Sequence, residues 1–337
     1  MRILFIGGTG IISSACTRLA AERGIELYLL NRGRSWRPIP DEVTRLIGDI
    51  RDPEVARKAI GALEFDAVVD WVAFTPEHVE IDLELFMDRT AQYIFISSAS
   101  AYQTPPAKLP VTESTILDNP AWQYSRDKIA CEERLLRAFR EEGFPCTIVR
   151  PSHTYDCTLV PPHGGWTLID RMRRGDAVVV HGDGSSVWTL THHRDFANGL
   201  IGLLGREDAV GEAFHITSDE WLTWDSIHHI LAHAAGTTAK IVHVPSEVIA
   251  RYDREWGDSL LGDKTHSMIF DNSKIRQFVP DFAATIPFSQ GAQEIISWYD
   301  ADPSRRTIDE EFDRTVSRII EDCRQARSGA TDAQRAL

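Results

Sequence analysis

The apolar run Arg2-Ile3-Leu4-Phe5-Ile6 meets Gly7-Gly8-Thr9-Gly10-Ile11-Ile12-Ser13 directly, and Ser14 to Arg23 then carries Ala, Leu and Ala at helical spacing. A strand that turns on glycines straight into a helix belongs to a parallel sheet with crossover helices. Glycine at 7 and 10 lets the backbone turn tightly, and the exposed amides and dipole of the following helix favour an anion there. A third glycine normally packs helix against strand; Ser13 stands in that place and is small enough to be accommodated. The turn therefore points to a dinucleotide pyrophosphate resting on Gly7, Thr9, Gly10, Ile11 and Ile12.

The same alternation continues along the chain. Further strands are expected at Ile25 to Leu30, Arg45 to Leu46, Ala67 to Val72, Tyr93 to Ser97 and Cys146 to Arg150, with a long helix from about Tyr124 to Glu142. The predicted fold is α/β, a doubly wound parallel sheet of Rossmann type followed by a smaller mixed α/β C-terminal substrate domain. After Pro151 the pattern changes to the loop Pro161-Pro162-His163-Gly164-Gly165 and a β-rich stretch, Ala177 to Thr191, turning at His181-Gly182-Asp183-Gly184. A helix from Asp195 to Leu204 and a strand at Ala213 to Ile216 follow. Next come a helix at Trp224 to Ala235, a strand at Lys240 to Val244 and the segment Phe282 to Tyr299. The boundaries expected are residues 1-155 for the NAD(P)-binding domain, rejoined by about 187-217; 156-186 and 218-300 for the substrate domain; and 301-337 for a helical extension whose small, polar tail frays from about Ala326.

At 337 residues and roughly 150 residues per domain, two domains fit the length, and 43% hydrophobic residues suffice for sizeable cores. The net charge of -14 works against non-specific binding to phosphate backbones or anionic lipid, which needs a surplus of Lys and Arg. Five cysteines without a C-x-x-C pair indicate neither a disulfide framework nor a cysteine-rich zinc site, so a reducing, cytoplasmic setting fits. The N-terminal apolar run lacks the pattern of a signal peptide, and no apolar stretch approaches the ~18 residues of a membrane span.

At the end of the second strand, where an acid usually meets the adenosine ribose, the chain has Asn31-Arg32-Gly33-Arg34. A neutral Asn and nearby arginines remove the repulsion that would exclude a 2′-phosphate, so the cofactor is NAD or NADP with a lean to NADP. Gly48-Asp49-Ile50 after the third strand suits the adenine edge. Tyr124-Ser-Arg-Asp-Lys128 places a phenol and an ammonium at i and i+4, on one face of a helix. Ser97-Ser98 closes the fifth strand at the carboxyl edge, where α/β sheets collect ligands. A phenol with pKa near 10 lies about three units, or about 4 kcal/mol, above what a base needs at neutral pH. The Lys128 cation and a positive nicotinamide ring supply a shift of that order. The expected catalytic set is Ser98, Tyr124 and Lys128.

Gly7-x-x-Gly10-x-x-Ser13, Gly48-Asp49, Phe95-Ile96-Ser97-Ser98-Ala99-Ser100-Ala101-Tyr102, Tyr124-x-x-x-Lys128 and Arg150-Pro151 together resemble the extended short-chain dehydrogenase/reductase family, the NAD(P)-dependent epimerase/dehydratase group. The match runs in order from residue 1 to about Tyr299. It implies cofactor contacts that also include Ala73, Tyr124, Lys128 and Pro151, and an enzyme that oxidises a secondary hydroxyl of a sugar or nucleoside-like substrate. Where dehydratases of the family carry an Asp-Glu pair after the catalytic Ser or Thr, this chain has Ala99 and Ser100, which argues against dehydration by that route. Where sugar-nucleotide epimerases carry Asn, it has His153, and where an Arg usually meets the diphosphate it has Trp188. Ser98, Ser100, His153 and Trp188 are the expected substrate residues, with Trp188 equally readable as core.

Asn31-Arg32-Gly33, Gln92-Tyr93-Ile94 and His193-Arg194-Asp195-Phe196-Ala197 are also similar to a branch of that family containing chloroplast stem-loop-binding-like proteins. That branch tends to lack an intact Tyr-x-x-x-Lys. Retention of Tyr124 and Lys128, with the acidic balance, favours an enzyme with a small-molecule substrate over nucleic acid; an RNA-binding or redox-sensing protein on the same fold is the alternative. A homodimer is compatible with the sequence. No metal site is expected: His192-His193 are adjacent and point apart, and His229 and His233 share a helical face without an acid between them. Arg171, Arg173 and Arg174 read best as a solvated helix end.

Overall fold

A computed structural model describes the backbone of residues 1–335 and the side chains through residue 326. In chain order the first elements are β1 (Arg2–Ile6), α1 (Ser13–Glu22), β2 (Glu26–Asn31), β3 (Thr44–Ile47), α2 (Pro53–Ile60), β4 (Ala67–Asp70), α3 (Pro76–Phe86) and β5 (Tyr93–Ile96). They are followed by α4 (Gln123–Glu142), β6 (Cys146–Pro151), β7 (His153–Tyr155), α5 (Gly165–Arg174), β8 (Ala177–His181), β9 (Val187–Trp188), β10 (Leu190–His192) and α6 (His193–Leu203). The chain then runs through β11 (Ala213–Ile216), β12 (Leu222–Thr223), α7 (Trp224–Ala234), β13 (Lys240–Val244), α8 (Ser246–Tyr252) and α9 (Arg254–Ser259). It ends with α10 (Ser273–Phe278), α11 (Phe288–Asp300) and α12 (Glu310–Arg335).

Contacts divide the chain into two units: Met1–Tyr155 with Thr189–Asp219 and Phe270–Thr285, and Asp156–Trp188 with Glu220–Ile269 and Ile286–Leu337. The first contains a seven-stranded parallel sheet in the order β11-β6-β5-β4-β1-β2-β3. This is the doubly wound Rossmann arrangement, whose order reverses between β1 and β4. Its strands read as continuous apolar runs because both faces are covered. Ile3, Phe5, Leu27, Leu29, Val69 and Ile94 pack with Ala15, Cys16 and Ala20 of α1 and with Phe196 and Leu200 of α6. Leu4, Ile6, Leu30, Val68, Tyr93 and Phe95 pack on the other face with Ala56 and Ile60 of α2, Val79 and Leu83 of α3, and Cys131 and Leu135 of α4.

Two helices that periodicity alone did not reveal, α2 and α3, begin with Pro at the first turn, where its missing N–H costs nothing. β4 ends two residues earlier than its apolar run suggests. The Asp70 carboxylate accepts the Val72 and Ala73 amides, and amides that turn back onto a side chain cannot continue a ladder. The segment Phe270–Thr285, assigned by pattern to the second part of the chain, clusters with the first unit.

In the second unit β8 pairs in parallel with β13 and β9 antiparallel with β12. Its core gathers Val179, Val244, Ile249, Trp256 and Leu260 around Phe312, Val316 and Ile319 of α12. The tail expected to fray carries a helical backbone to Arg335, and Ala336 and Leu337 lie outside the described residues.

Candidate functional site

A cavity of about 690 Å³ opens at the carboxyl edge of the first unit's sheet, at the point where the strand order reverses. Gly7, Thr9, Gly10, Ile11, Ile12, Asn31, Arg32, Asp49 and Ile50, all named in the sequence as candidate cofactor residues, line it. The turn needs its glycines. Gly7 has φ +104° and a Cβ there would stand 3.3 Å from both Trp71 and Val72, the segment after β4. Gly8 has φ +86° and a Cβ would meet Leu29 at 2.5 Å. Ser13 is buried, and its hydroxyl accepts the Gly10 amide at 2.7 Å, so the substituted third position is accommodated by a hydrogen bond.

The cavity suits a dinucleotide in size and in chemistry. Backbone is exposed at the turn, and three donors of lining residues are buried without an acceptor: Asn31 Nδ2, Arg51 Nη1 and Trp71 Nε1. Asn31 Oδ1 accepts the Gly33 amide at 2.9 Å, which fixes the amide side chain with its donor end unpaired. Arg34, one of the two arginines read as favouring NADP, also lines the cavity, and Ser35, Arg51, Trp71, Phe74 and Thr154 line it without having been singled out in the sequence, because none lies in a spaced motif.

None of the remaining expected cofactor residues, Ala73, Tyr124, Lys128 and Pro151, is part of the lining; Ala73 lies between the lining residues Val72 and Phe74, and Lys128 bonds the carbonyls of Ala73 and of the lining residue Ile96. Lys128 is 1% exposed, and its ammonium donates to the carbonyls of Ala73 at 2.7 Å and Ile96 at 2.8 Å. The rings of Phe74 and Phe95 flank it at 4.8 and 4.7 Å. One helical turn earlier on α4, Tyr124 is half-buried, its ring centroid 5.8 Å from the Lys128 nitrogen.

Ser98 is half-buried and shares a hydrogen bond with the Ser100 hydroxyl at 2.9 Å. Ser100 also accepts from the Ser125 hydroxyl at 2.9 Å, and its carbonyl takes the Asn119 amide. Ser100 is thus buried among hydrogen bonds that orient Ser98. His153, on β7, is half-buried in the same unit.

Burial pushes the Lys128 ammonium down to about 8 from 10.5. Its charge is present below about pH 8, where it can support a phenolate, and is lost above. Because the folded value lies below the unfolded one, the unfolded chain binds the extra proton between about pH 8 and 10.5. This group's contribution to stability therefore rises with pH through that window. NMR titration of lysine side-chain resonances in nucleotide-free protein should show one lysine with a midpoint near 8. That midpoint should vanish in Lys128→Met, and ordinary titration of every lysine would contradict it.

Three expectations change. Trp188 belongs to the second unit, where it is 2% exposed and tilted against Trp224 at 6.2 Å, so its core reading holds over a pocket role. Arg171 is buried against Asp313 and the Ala177 carbonyl instead of forming a solvated helix end. Arg173 pairs with Asp300, and Arg174 with Asp170, Asp176 and Asp313. The adjacent histidines do not point apart: their ring centroids lie 4.9 Å from one another, with His192 buried and accepting the Arg194 amide at the start of α6 and His193 3.1 Å from the Ile11 carbonyl.

Residues 3–217 match the model of the NAD dependent epimerase/dehydratase family. The chain belongs to that family. Membership places it among NAD-dependent enzymes of the extended short-chain dehydrogenase/reductase type. It is 29% identical over 256 residues to the chloroplast stem-loop binding protein of 41 kDa b of Arabidopsis thaliana, covering 72% of this chain and 65% of that protein, just under two thirds of its length. It is 25% identical over 289 residues to the 2'-dehydrokanamycin reductase of Streptomyces kanamyceticus, covering 84% of this chain and 80% of the reductase. In fold it is similar to an epimerase of the methanogen Methanothermobacter thermautotrophicus, with TM-score 0.74 and 19% identity over 90% of this chain and 93% of that one. No helix among the described residues is long and apolar enough to cross a membrane.

Proposed function

We propose that the protein is an NAD(P)-dependent epimerase or oxidoreductase acting on a secondary hydroxyl of a sugar or nucleoside-like substrate. The observation that carries this reading is Lys128, buried one turn from Tyr124 and held beside a glycine-lined dinucleotide cavity. NAD(P), when bound, supplies the acceptor for the substrate's hydride. Tyr124 takes the hydroxyl proton on its phenolate oxygen, Ser98 donates a hydrogen bond to the substrate oxygen, and the Lys128 cation favours the phenolate form. Gly7, Thr9, Gly10, Ile11 and Ile12 would hold the pyrophosphate, and Asp49 and Ile50 the adenine. Ala73 and Pro151 would border the nicotinamide end, and Ser100 and His153 the substrate. Ala99 is buried and Ser100 is engaged, so neither offers the acid that dehydration needs.

Incubation with free and nucleotide-linked sugars, in keto and hydroxyl forms, tests the reading. Nicotinamide absorbance reports net oxidation or reduction, and NMR reports epimerisation without net redox change. No turnover across the panel, together with micromolar RNA binding at physiological salt, would favour the nucleic-acid alternative that the stem-loop relative represents. The net charge of -14 weighs against it.

The donor end of Asn31 and the arginines at 32 and 34 support NADP as the cofactor. Arg32→Ala is expected to weaken NADPH binding about tenfold and leave NADH within about twofold, since only the former carries the 2′-phosphate. Equal losses for both nucleotides in fluorescence titrations would remove the NADP preference.

A further inference from the structure

The segment between β4 and α3 carries the Ala73 carbonyl that receives Lys128, and Val72 and Phe74 that line the cavity. Four successive amides in it go to two side chains. Val72 and Ala73 donate to Asp70 Oδ1, the latter at 2.9 Å. Phe74 and Thr75 donate to His78 Nδ1 at 3.0 and 3.3 Å. His78 and Asp82 are one turn apart on α3, hence on one face. Asp82 is fully buried and accepts the Tyr93 hydroxyl at 2.6 Å through Oδ2.

Two oxygens remain. Asp70 Oδ2 and Asp82 Oδ1 are buried without a hydrogen-bond donor, although the two carboxyl groups lie within hydrogen-bonding reach of one another. Two bare carboxylates in that position would leave adjacent unpaired charges inside the fold, which is costly. A proton between them satisfies both oxygens at once.

The geometry points to Asp70 and Asp82 as a carboxylate and a carboxylic acid sharing one proton, a positioning pair that fixes the Val72–Thr75 segment and, through the Ala73 carbonyl, the seat of Lys128. The proton sits on Asp82 Oδ1 and donates to Asp70 Oδ2, while Asp82 Oδ2 keeps the Tyr93 phenol. Burial, with the Asp70 charge added, pushes the Asp82 carboxyl well above its ordinary 3.8. The other groups around the pair are Arg51 from the turn after β3, His78 on α3 itself, Tyr93 on β5, and Lys128 and Cys131 on α4. The role of Lys128 rests on the proposed function; the shared proton does not.

Infrared difference spectra of the whole protein at neutral pH should contain a protonated-carboxyl band that shifts in deuterium oxide and is missing in Asp82→Asn. The asparagine amide can donate to Asp70 and accept from Tyr93, so this variant should bind NADPH within about twofold of the unaltered protein. Asp82→Leu removes the donor and should weaken NADPH about tenfold. A second readout follows from the sign of the shift. The folded state keeps the Asp82 proton while the unfolded chain releases it above 3.8, so unaltered protein loses this stability as pH rises toward the raised folded value. The denaturation midpoint of Asp82→Asn should therefore gain on that of the unaltered protein steadily from about pH 4 to 7.

Absence of the carboxyl band, or an Asp82→Asn variant as weak for NADPH as Asp82→Leu, would overturn the pair. Neither readout uses turnover. Their failure leaves the Ser98, Tyr124 and Lys128 chemistry standing, and failure of that chemistry leaves the pair standing.

Discussion

Tyr124→Phe is expected to lower turnover by about 10²–10⁴-fold while NADPH affinity stays within about twofold. The ring stays in place against Trp122 at 5.0 Å, so α4 and the Lys128 seat are preserved and only the hydroxyl is lost. Without it no group on α4 takes the substrate proton, because Lys128 is occupied by two carbonyls and Ser125 is buried against Ser100. Steady-state rates on whichever sugar the panel identifies, paired with nucleotide titration, separate chemistry from binding. Near-normal turnover in this variant would exclude Tyr124 as the base.

The largest effect on stability is expected at Glu132. Its carboxylate, fully buried, takes Arg150 through Nε at 2.9 Å and Nη2 at 2.6 Å, and the Ser97 hydroxyl at 2.5 Å. Arg150 in turn donates to the Tyr102 hydroxyl and the Glu113 carbonyl. Glu132→Gln leaves the Arg150 charge buried without its counter-ion and should cost about 3–5 kcal/mol. Replacing both partners by Met should cost much less, since no uncompensated charge remains. Urea midpoints at unchanged m-value measure both. The network ties β5 to β6 just behind Ser98, so the single variant should also lose activity at temperatures where it is still folded. A single variant no less stable than the double would contradict the account.

Much of the first unit could be read directly from residue order. Consecutive apolar positions such as Ile3 and Leu4 announce a sheet covered on both faces, and the glycine turn announces the close approach that a Cβ at Gly7 would block. Tyr124 and Lys128 were visible as a pair because a helix turns in four residues whatever surrounds it. Reading failed where burial and not spacing decides the role. Trp188 has the chemistry of a pocket wall and fills a core, and Arg171, which reads as part of a solvated helix end, is buried against Asp313.

By itself, the sequence determined the parallel sheet, the nucleotide turn and the tyrosine-lysine face, since each follows from local periodicity or from the steric freedom of glycine. Tertiary structure alone decided that Asp70, His78 and Asp82 gather on one segment and that Lys128 is seated on the Ala73 carbonyl. Those contacts join β4, α3 and α4 across gaps of up to 55 residues, and no local rule of the chain links such positions. Only packing, which removes water from the carboxyl groups and leaves them each other, makes them one device.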